Sequence, residues 1–433
     1  MRPVARLMLA FALGLVGAGS WAVAGGGVHG RSVDDADQAG PGGLAGPAAS
    51  IDRLLSEAYP PGEPGAAVRV TKAGVVLLEK GYGLADVEHK VRATPDSVFR
   101  LASVTKAFTG TAVLMLAERG AVALDDPVTE HLPSSPPAWR AVAIRHLLSH
   151  TSGLSNYLDR PNSMEWAARE YTVQQLVDSF KDRPAVFAPG ERSAYSNSNY
   201  VLLGAIVEKV SGLPFDRFVD TSIFAPLGMT ATACGASLKD LSRLATAYEP
   251  ARTADDQLDW SRLLVARPYT MSSVYAAGGC VSSLRDLARF HDALSKGALI
   301  GKAALARSFA PAVLRVGVAP TMSEGGWQLD TVGGRRAAMR SGALPGVCTW
   351  FLMMPDDDVS VILLSNRTPG KPRCGMLAVE VAGLAAGAPA RLVGLPATSR
   401  RPTPERRGAP HARAPSSPQA RTRQTGGARP AEW

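Results

Sequence analysis

The chain has 433 residues, 46% hydrophobic and 20% charged, a composition that permits a sizeable core and excludes wholesale disorder. Its net charge of +9 would suit a nucleic-acid binder, but residues 396–433 hold eight arginines against two glutamates and so carry +6 of it. The basic character belongs to a tail and not to a groove in the folded body, and no nucleic-acid partner is expected.

The chain opens with Arg2 and Arg6, a short apolar run from Leu7 to Val16, and the small-x-small sequence Ala22-Val23-Ala24. This reads as a signal peptide over 1–24, with export to the periplasm or the outside. No later run reaches the roughly 18 uncharged apolar residues of a spanning helix. Residues 25–48 lack periodicity and read as a flexible linker. Ser50–Ala58 has the spacing of a short amphipathic helix. Ala66–Val70 and Val75–Lys80 read as strands joined by the tight turn Lys72-Ala73-Gly74.

An almost uniformly apolar helix is predicted over 107–119, stopped by Gly120. From about 120 to 310 the pattern is mainly helical, with helices at 143–150, 172–181, 200–210 and 284–295. Strands return after about 325: 327–330 and 335–340 flank Gly333-Gly334, and 349–354 and 359–364 flank Pro355-Asp356-Asp357-Asp358. An apolar helix over 374–387 follows. Residues 391–433, rich in Pro and Arg, read as a disordered tail. The fold expected is therefore α+β. One antiparallel sheet is assembled from both chain ends and flanked by the terminal helices, a mainly helical region is inserted between them, and the folded domain runs over 49–390. A ligand cleft falls between sheet and helical region.

The chemistry centres on Ser103-Val104-Thr105-Lys106, the one S-x-x-K of the chain. Three residues apart on a helix, hydroxyl and ammonium share a face. Ser103 at the first turn lies where free N–H groups and the helix dipole favour an alkoxide. A desolvated Lys106 loses basicity and can take or share the serine proton. A second stretch, Tyr195-Ser196-Asn197, follows the turn Ala188-Pro189-Gly190. In extended chain Tyr195 and Asn197 point the same way. The tyrosine can serve as general base beside a cation, and the asparagine can hold both lysine and a substrate carbonyl.

Other chemistries fail. There is no G-x-S-x-G and no G-x-x-x-x-G-K-[ST]. His146 and His150 have the spacing of a zinc helix, but Leu147-Leu148-Ser149 lacks the required glutamate, and both read as structural. No metal or organic cofactor is expected. Cys234, Cys280, Cys348 and Cys374 allow three disulfide pairings or four buried thiols, and their spacing does not choose.

The two motifs resemble those of the serine β-lactamase-like hydrolases, closest to the class C β-lactamase and D-Ala-D-Ala carboxypeptidase group with its related esterases and aminopeptidases. The resemblance extends in order through Phe99–Gly110, Ile144–Leu154, Phe224–Met229 and Ala277-Gly278-Gly279 to Phe290, and covers about 50–388. It implies acyl transfer. Ser103 is the nucleophile, Lys106 and Tyr195 move protons, and Asn197 orients lysine and substrate. The backbone N–H groups of Ser103 and Ala343 form the oxyanion hole. The third motif departs from the family's usual Lys or His: here it is Arg340-Ser341-Gly342. Arg340 keeps a positive charge able to hold a substrate carboxylate, but with the different shape of a planar fork. The substrate implied is a small molecule or peptide, peptidoglycan stem peptides and small esters among the candidates. Two rival readings are a true class C-like β-lactamase and an idle penicillin- or peptide-binding sensor.

Overall fold

The computed structural model describes residues 46–235, 243–255, 257–315, 320–368 and 374–388. The expected signal peptide, most of the expected linker and the tail from 391 lie outside them. The elements that position the site are, in chain order, helix α1 (Pro47–Ala58), strands β1 (Ala66–Lys72) and β2 (Val75–Tyr82), helices α2 (Thr105–Glu118), α3 (Asn197–Ser211), α4 (Met271–Gly278) and α5 (Leu284–Ser295), strands β3 (Gln328–Val332), β4 (Arg335–Leu344), β5 (Val347–Met354) and β6 (Val359–Ser365), and helix α6 (Cys374–Ala386).

The six strands form one antiparallel sheet in the order β3-β4-β5-β6-β1-β2, so the two chain ends meet where β1 pairs with β6. That junction runs from Ala66 opposite Ser365 to Lys72 opposite Val359. Ala73 and Gly74, both at positive φ, close the β1–β2 hairpin. The sheet is covered on both faces, which is why every residue of β6 is buried and its apolar residues do not simply alternate with polar ones. Val359, Val361 and Leu363 face a core with Ile51 and Leu55 of α1 and Leu377 and Val381 of α6. Ile362 and Leu364 face the larger core on the other side, which holds α2 and α3. A slip of one residue would exchange these faces, so the register is firmly specified.

α2 is buried along its length from Thr105 to Leu116, as a helix apolar on every side must be. Phe108 meets Phe224 and Phe290 edge to face at 4.9 and 4.8 Å. Among the described residues no helix is long and apolar enough to cross a membrane.

The middle of the chain departs from the expected helical pattern in two places. Val98–Arg100, Cys280–Ser283 and Ala233–Cys234 form a small antiparallel sheet, and Tyr248–Arg252 pairs with Leu258–Val265 as a hairpin. The first three strands are too short to show a period, and the last is largely exposed and buries no face against the core. α1 also begins at Pro47, inside the segment expected to be linker.

The cysteines pair as Cys234–Cys280, within the small sheet, and Cys348–Cys374, which ties α6 to β5. Replacing Cys348 and Cys374 together by serine releases a link across 26 residues. The expected loss is about 3 kcal/mol, read as a lower urea midpoint. An unchanged midpoint would show that packing alone holds α6.

Candidate active site

The site is built around the turn Ala102–Val104, a short 3-10 segment that leads into α2. Ala102 is held at φ 47° with 1% of its surface exposed, a conformation that costs a non-glycine residue energy and persists only where its surroundings enforce it. Those surroundings are visible on both sides. The Leu101 N–H donates to the Cys280 carbonyl at 2.9 Å, and the Leu101 carbonyl accepts from Thr349 Oγ1 of β5 at 2.7 Å. β4 passes so close that a Cβ on Gly342 would lie 2.3 Å from both the Leu101 carbonyl and Thr349 Oγ1. Ser103 is thus fixed between the small sheet and the large one.

Four side chains converge here. Ser103 Oγ lies 2.7 Å from the Tyr195 hydroxyl and 3.0 Å from Lys106 Nζ. Lys106 Nζ also donates to Asn197 Oδ1 at 2.8 Å and to the Ala277 carbonyl at 2.7 Å. The Tyr195 hydroxyl is 3.2 Å from Asn197 Oδ1. The local chain explains the convergence. Ser196 is extended and α3 starts at Asn197, so Tyr195 and Asn197 face the same way. Asn156 Oδ1 accepts from both the backbone and side-chain nitrogens of Asn197 and fixes its amide.

Lys106 has no exposed surface. Burial, and then the nearby Arg340 guanidinium, hold its ammonium well below the usual lysine range. Burial pushes the Tyr195 hydroxyl up to about 12, against the opposing effects of Ser103 and Arg340. At neutral pH the tyrosine keeps its proton, and the lysine is the group poised to lose one. The Tyr195 ring also lies 4.9 Å from Lys106 Nζ, with the His150 ring 4.6 Å from it on another side.

The structure brings Ser103, Lys106, Tyr195 and Asn197 together and places the third motif differently. Gly342 packs against the nucleophile turn, Ser341 is half-buried and Ala343 is exposed. Arg340 does not stand in the cleft as the carboxylate-holding role requires. It is 4% exposed, and its Nη2 donates to the Tyr200 hydroxyl at 2.6 Å and to the Gly325 carbonyl at 3.2 Å. Its guanidinium lies between the rings of Tyr200 and Trp327. Strand alternation places Arg340 on the same face of β4 as Gly342, and it is Tyr200, Trp327 and the Gly325 carbonyl that hold its guanidinium in the core.

His146 and His150 are buried, and each accepts a backbone N–H at Nδ1, from Ala143 and Ser196 respectively. Among the described residues one group could hold a cation, Asp126, Glu130 and His131. There the carboxylate of Asp126 already serves the Ala123 N–H and the His131 ring, and none of the three belongs to the Ser103 array. Sequence reasoning missed Tyr200 and Asn156, which resemble packing and loop residues, and the part played by the Ala277 carbonyl, which no side-chain motif can announce.

Gly342→Ala should leave the protein folded and lower kcat by about 10–100-fold through displacement of the nucleophile turn, measured by turnover beside circular dichroism. Full activity would mean that the turn can yield without cost.

Comparison with known proteins gives a consistent result. The family model described as Beta-lactamase matches residues 51–384. Penicillin-binding protein 4* of Bacillus subtilis is 32% identical over 313 residues, 69% of this chain and 67% of that protein. Among solved structures, an octameric penicillin-binding protein homologue from Pyrococcus abyssi superposes with TM-score 0.67 at 25% identity, covering 79% of this chain and 77% of that one. A D-amino acid amidase from Ochrobactrum anthropi, complexed with L-phenylalanine amide, superposes with TM-score 0.63 at 28% identity, covering 73% and 90%.

Proposed function

The chain belongs to the beta-lactamase family, and on that premise we propose that it is a serine hydrolase acting through an acyl-enzyme on small amide, peptide or ester substrates, with Ser103 as nucleophile. The observation that carries this reading is the closed hydrogen-bond array of Ser103, Lys106, Tyr195 and Asn197. Neutral Lys106 accepts the Ser103 proton as Oγ attacks the carbonyl carbon. The tetrahedral oxyanion is received by the backbone N–H groups of Ser103 and Ala343, each such donor being worth roughly 3 kcal/mol in a water-poor site. The proton returns through Tyr195 to the leaving nitrogen or oxygen, and water attacks the acyl-enzyme with Lys106 again as base.

The placement of Arg340 supports a substrate class. Its guanidinium is buried and engaged by Tyr200 and Gly325, so its fork is not presented to a substrate carboxylate. That arrangement favours amides and esters with an uncharged leaving group over peptides with a free carboxylate beside the scissile bond. The amidase neighbour is named for D-amino acids, and D-amino acid amides are the first substrates we assign. A class C-like β-lactamase activity is the second reading, favoured by the family. We place the catalytic domain from the start of α1 at Pro47 to about 390, and the protein outside the cytoplasm. Two paired disulfides fit an oxidising compartment, as does the sequence of residues 1–24.

Intact-protein mass after exposure to a fluorophosphonate and to a fluorescent penicillin tests the reading. The phosphonate adduct should form on the native chain and vanish in Ser103→Ala. Persistence of the adduct in that variant would remove Ser103 as nucleophile. Consumption of penicillin through a transient adduct would favour the β-lactamase.

The electrostatics give a pH test. As base, Lys106 must be neutral, so kcat/KM rises with pH through its lowered pKa. Arg340 helps to lower that pKa. Arg340→Gln should therefore raise it and move the ascending limb to higher pH, whereas an unmoved limb would show that the guanidinium charge is not felt at Lys106.

A further inference from the structure

A second concave site lies behind the loop that carries Tyr195. A cavity of about 320 Å³ is walled by Arg145, His146, Thr151, Gly190, Arg307 and Arg315, and none of the Ser103 array lines it. This volume is at the small end of the range for ligand pockets, roughly 300–1,000 Å³.

Its lining is rich in donors. The His146 ring is 7% exposed, and its Nδ1 accepts the Ala143 N–H at 3.1 Å. In the neutral ring the proton therefore sits on Nε2. That nitrogen faces Gly190, where a Cβ would lie 3.4 Å from it and 3.6 Å from Arg315 Nε. Burial, then Arg145 and Arg315, push His146 down to about 4, so the ring remains a neutral donor at physiological pH. Arg145 is paired with Asp125, and Arg307 with Glu324, itself a cavity wall residue. Arg315 makes no ion pair among the described residues, and its backbone N–H donates to the Gly190 carbonyl at 2.7 Å. Among the described residues the cavity thus offers one guanidinium fork without an ion-pair partner and one fixed imidazole N–H, with the paired Arg145 and Arg307 also on its wall. The Ser149 hydroxyl donates to the Arg145 carbonyl and lies 3.0 Å from Thr151 Oγ1, so the hydroxyls already satisfy each other.

We propose that this cavity binds a small molecule bearing an oxyanion, a carboxylate or a phosphate, through Arg315 and the His146 Nε2–H. A planar fork beside a fixed N–H matches two or three oxygens on one carbon or phosphorus. The wall it shares with the catalytic machinery is the stem of the Tyr195 loop. The Gly190 N–H donates to the Thr151 carbonyl at 2.8 Å, and the Ala194 N–H to the His150 carbonyl at 2.9 Å. An occupant would brace that stem from outside the cleft.

The test uses the full chain with Ser103 blocked by fluorophosphonate, titrated separately with inorganic phosphate and with acetate while the histidine ring signals are followed by NMR. The expected result is a saturable shift of the His146 ring, weakened at least about tenfold in Arg315→Ala, as loss of a charged hydrogen bond predicts. The same loss is not expected in Arg119→Ala, an arginine elsewhere on the surface. Response to phosphate alone would identify a phosphate ester as the occupant, and response to acetate alone a carboxylate such as hydrolysis itself releases. Absence of a saturable shift, an undiminished shift in Arg315→Ala, or a shift seen only while Ser103 is unblocked would each overturn the proposal. The last result would put the anion in the catalytic cleft.

Discussion

The rest of the site depends on one buried amine. Among the described residues Lys106 Nζ hydrogen-bonds to three oxygens: Ser103 Oγ, Asn197 Oδ1 and the Ala277 carbonyl. An ammonium has three protons to donate, and all three oxygens can accept. A neutral amine has two protons and a lone pair, which suit Asn197, Ala277 and the serine hydroxyl as donor. Both protonation states are satisfied by the same geometry, so a proton can pass between Ser103 and Lys106 with no side chain moving. Burial in a low-dielectric site would otherwise make either unsatisfied state costly.

Holding those oxygens requires unusual backbone. α4 breaks at Tyr275, which takes φ 37° and ψ −136°. The break turns the next two carbonyls toward α2, where Thr109 Oγ1 donates to Ala276 at 2.7 Å and Lys106 to Ala277. Gly204 lets α3 approach, since a Cβ there would lie 2.5 Å from both the Ala276 methyl and the Tyr275 ring. With Ala102 at positive φ as well, two strained residues flank the reacting groups, as is common where geometry must be fixed before the substrate arrives.

Much of this was legible in the chain. Ser103, Lys106, Tyr195 and Asn197 stand out because spacing along a helix and along an extended segment determines which side chains share a face. The sheet closed by both ends followed from strands at the two extremes with helices between, and the β5–β6 hairpin from the turn at Pro355–Asp358. What escaped was of two kinds. Val98–Arg100, Ala233–Cys234 and Cys280–Ser283 are too short to carry a period. The Ala277 carbonyl and the orientation of Arg340 depend on tertiary placement. Arg340 occupies the motif position that a cleft-facing cation would hold, but the pocket between Tyr200 and Trp327 captures its guanidinium, a choice no local pattern encodes. The cysteine pairing likewise needed the strands to be placed first.

The junction of β1 with β6 also bears on how the molecule comes into being. The paired residues are about 300 positions apart, and contacts of such long separation form late because the intervening loop must first be closed. β4, which walls the nucleophile turn, is itself made well after the helices that carry the site. A ribosome therefore releases Ser103, Lys106 and Tyr195 long before the strand that completes their cleft exists. The growing chain carries its reactive groups in an unassembled state, and the cleft cannot close before β4 has been made.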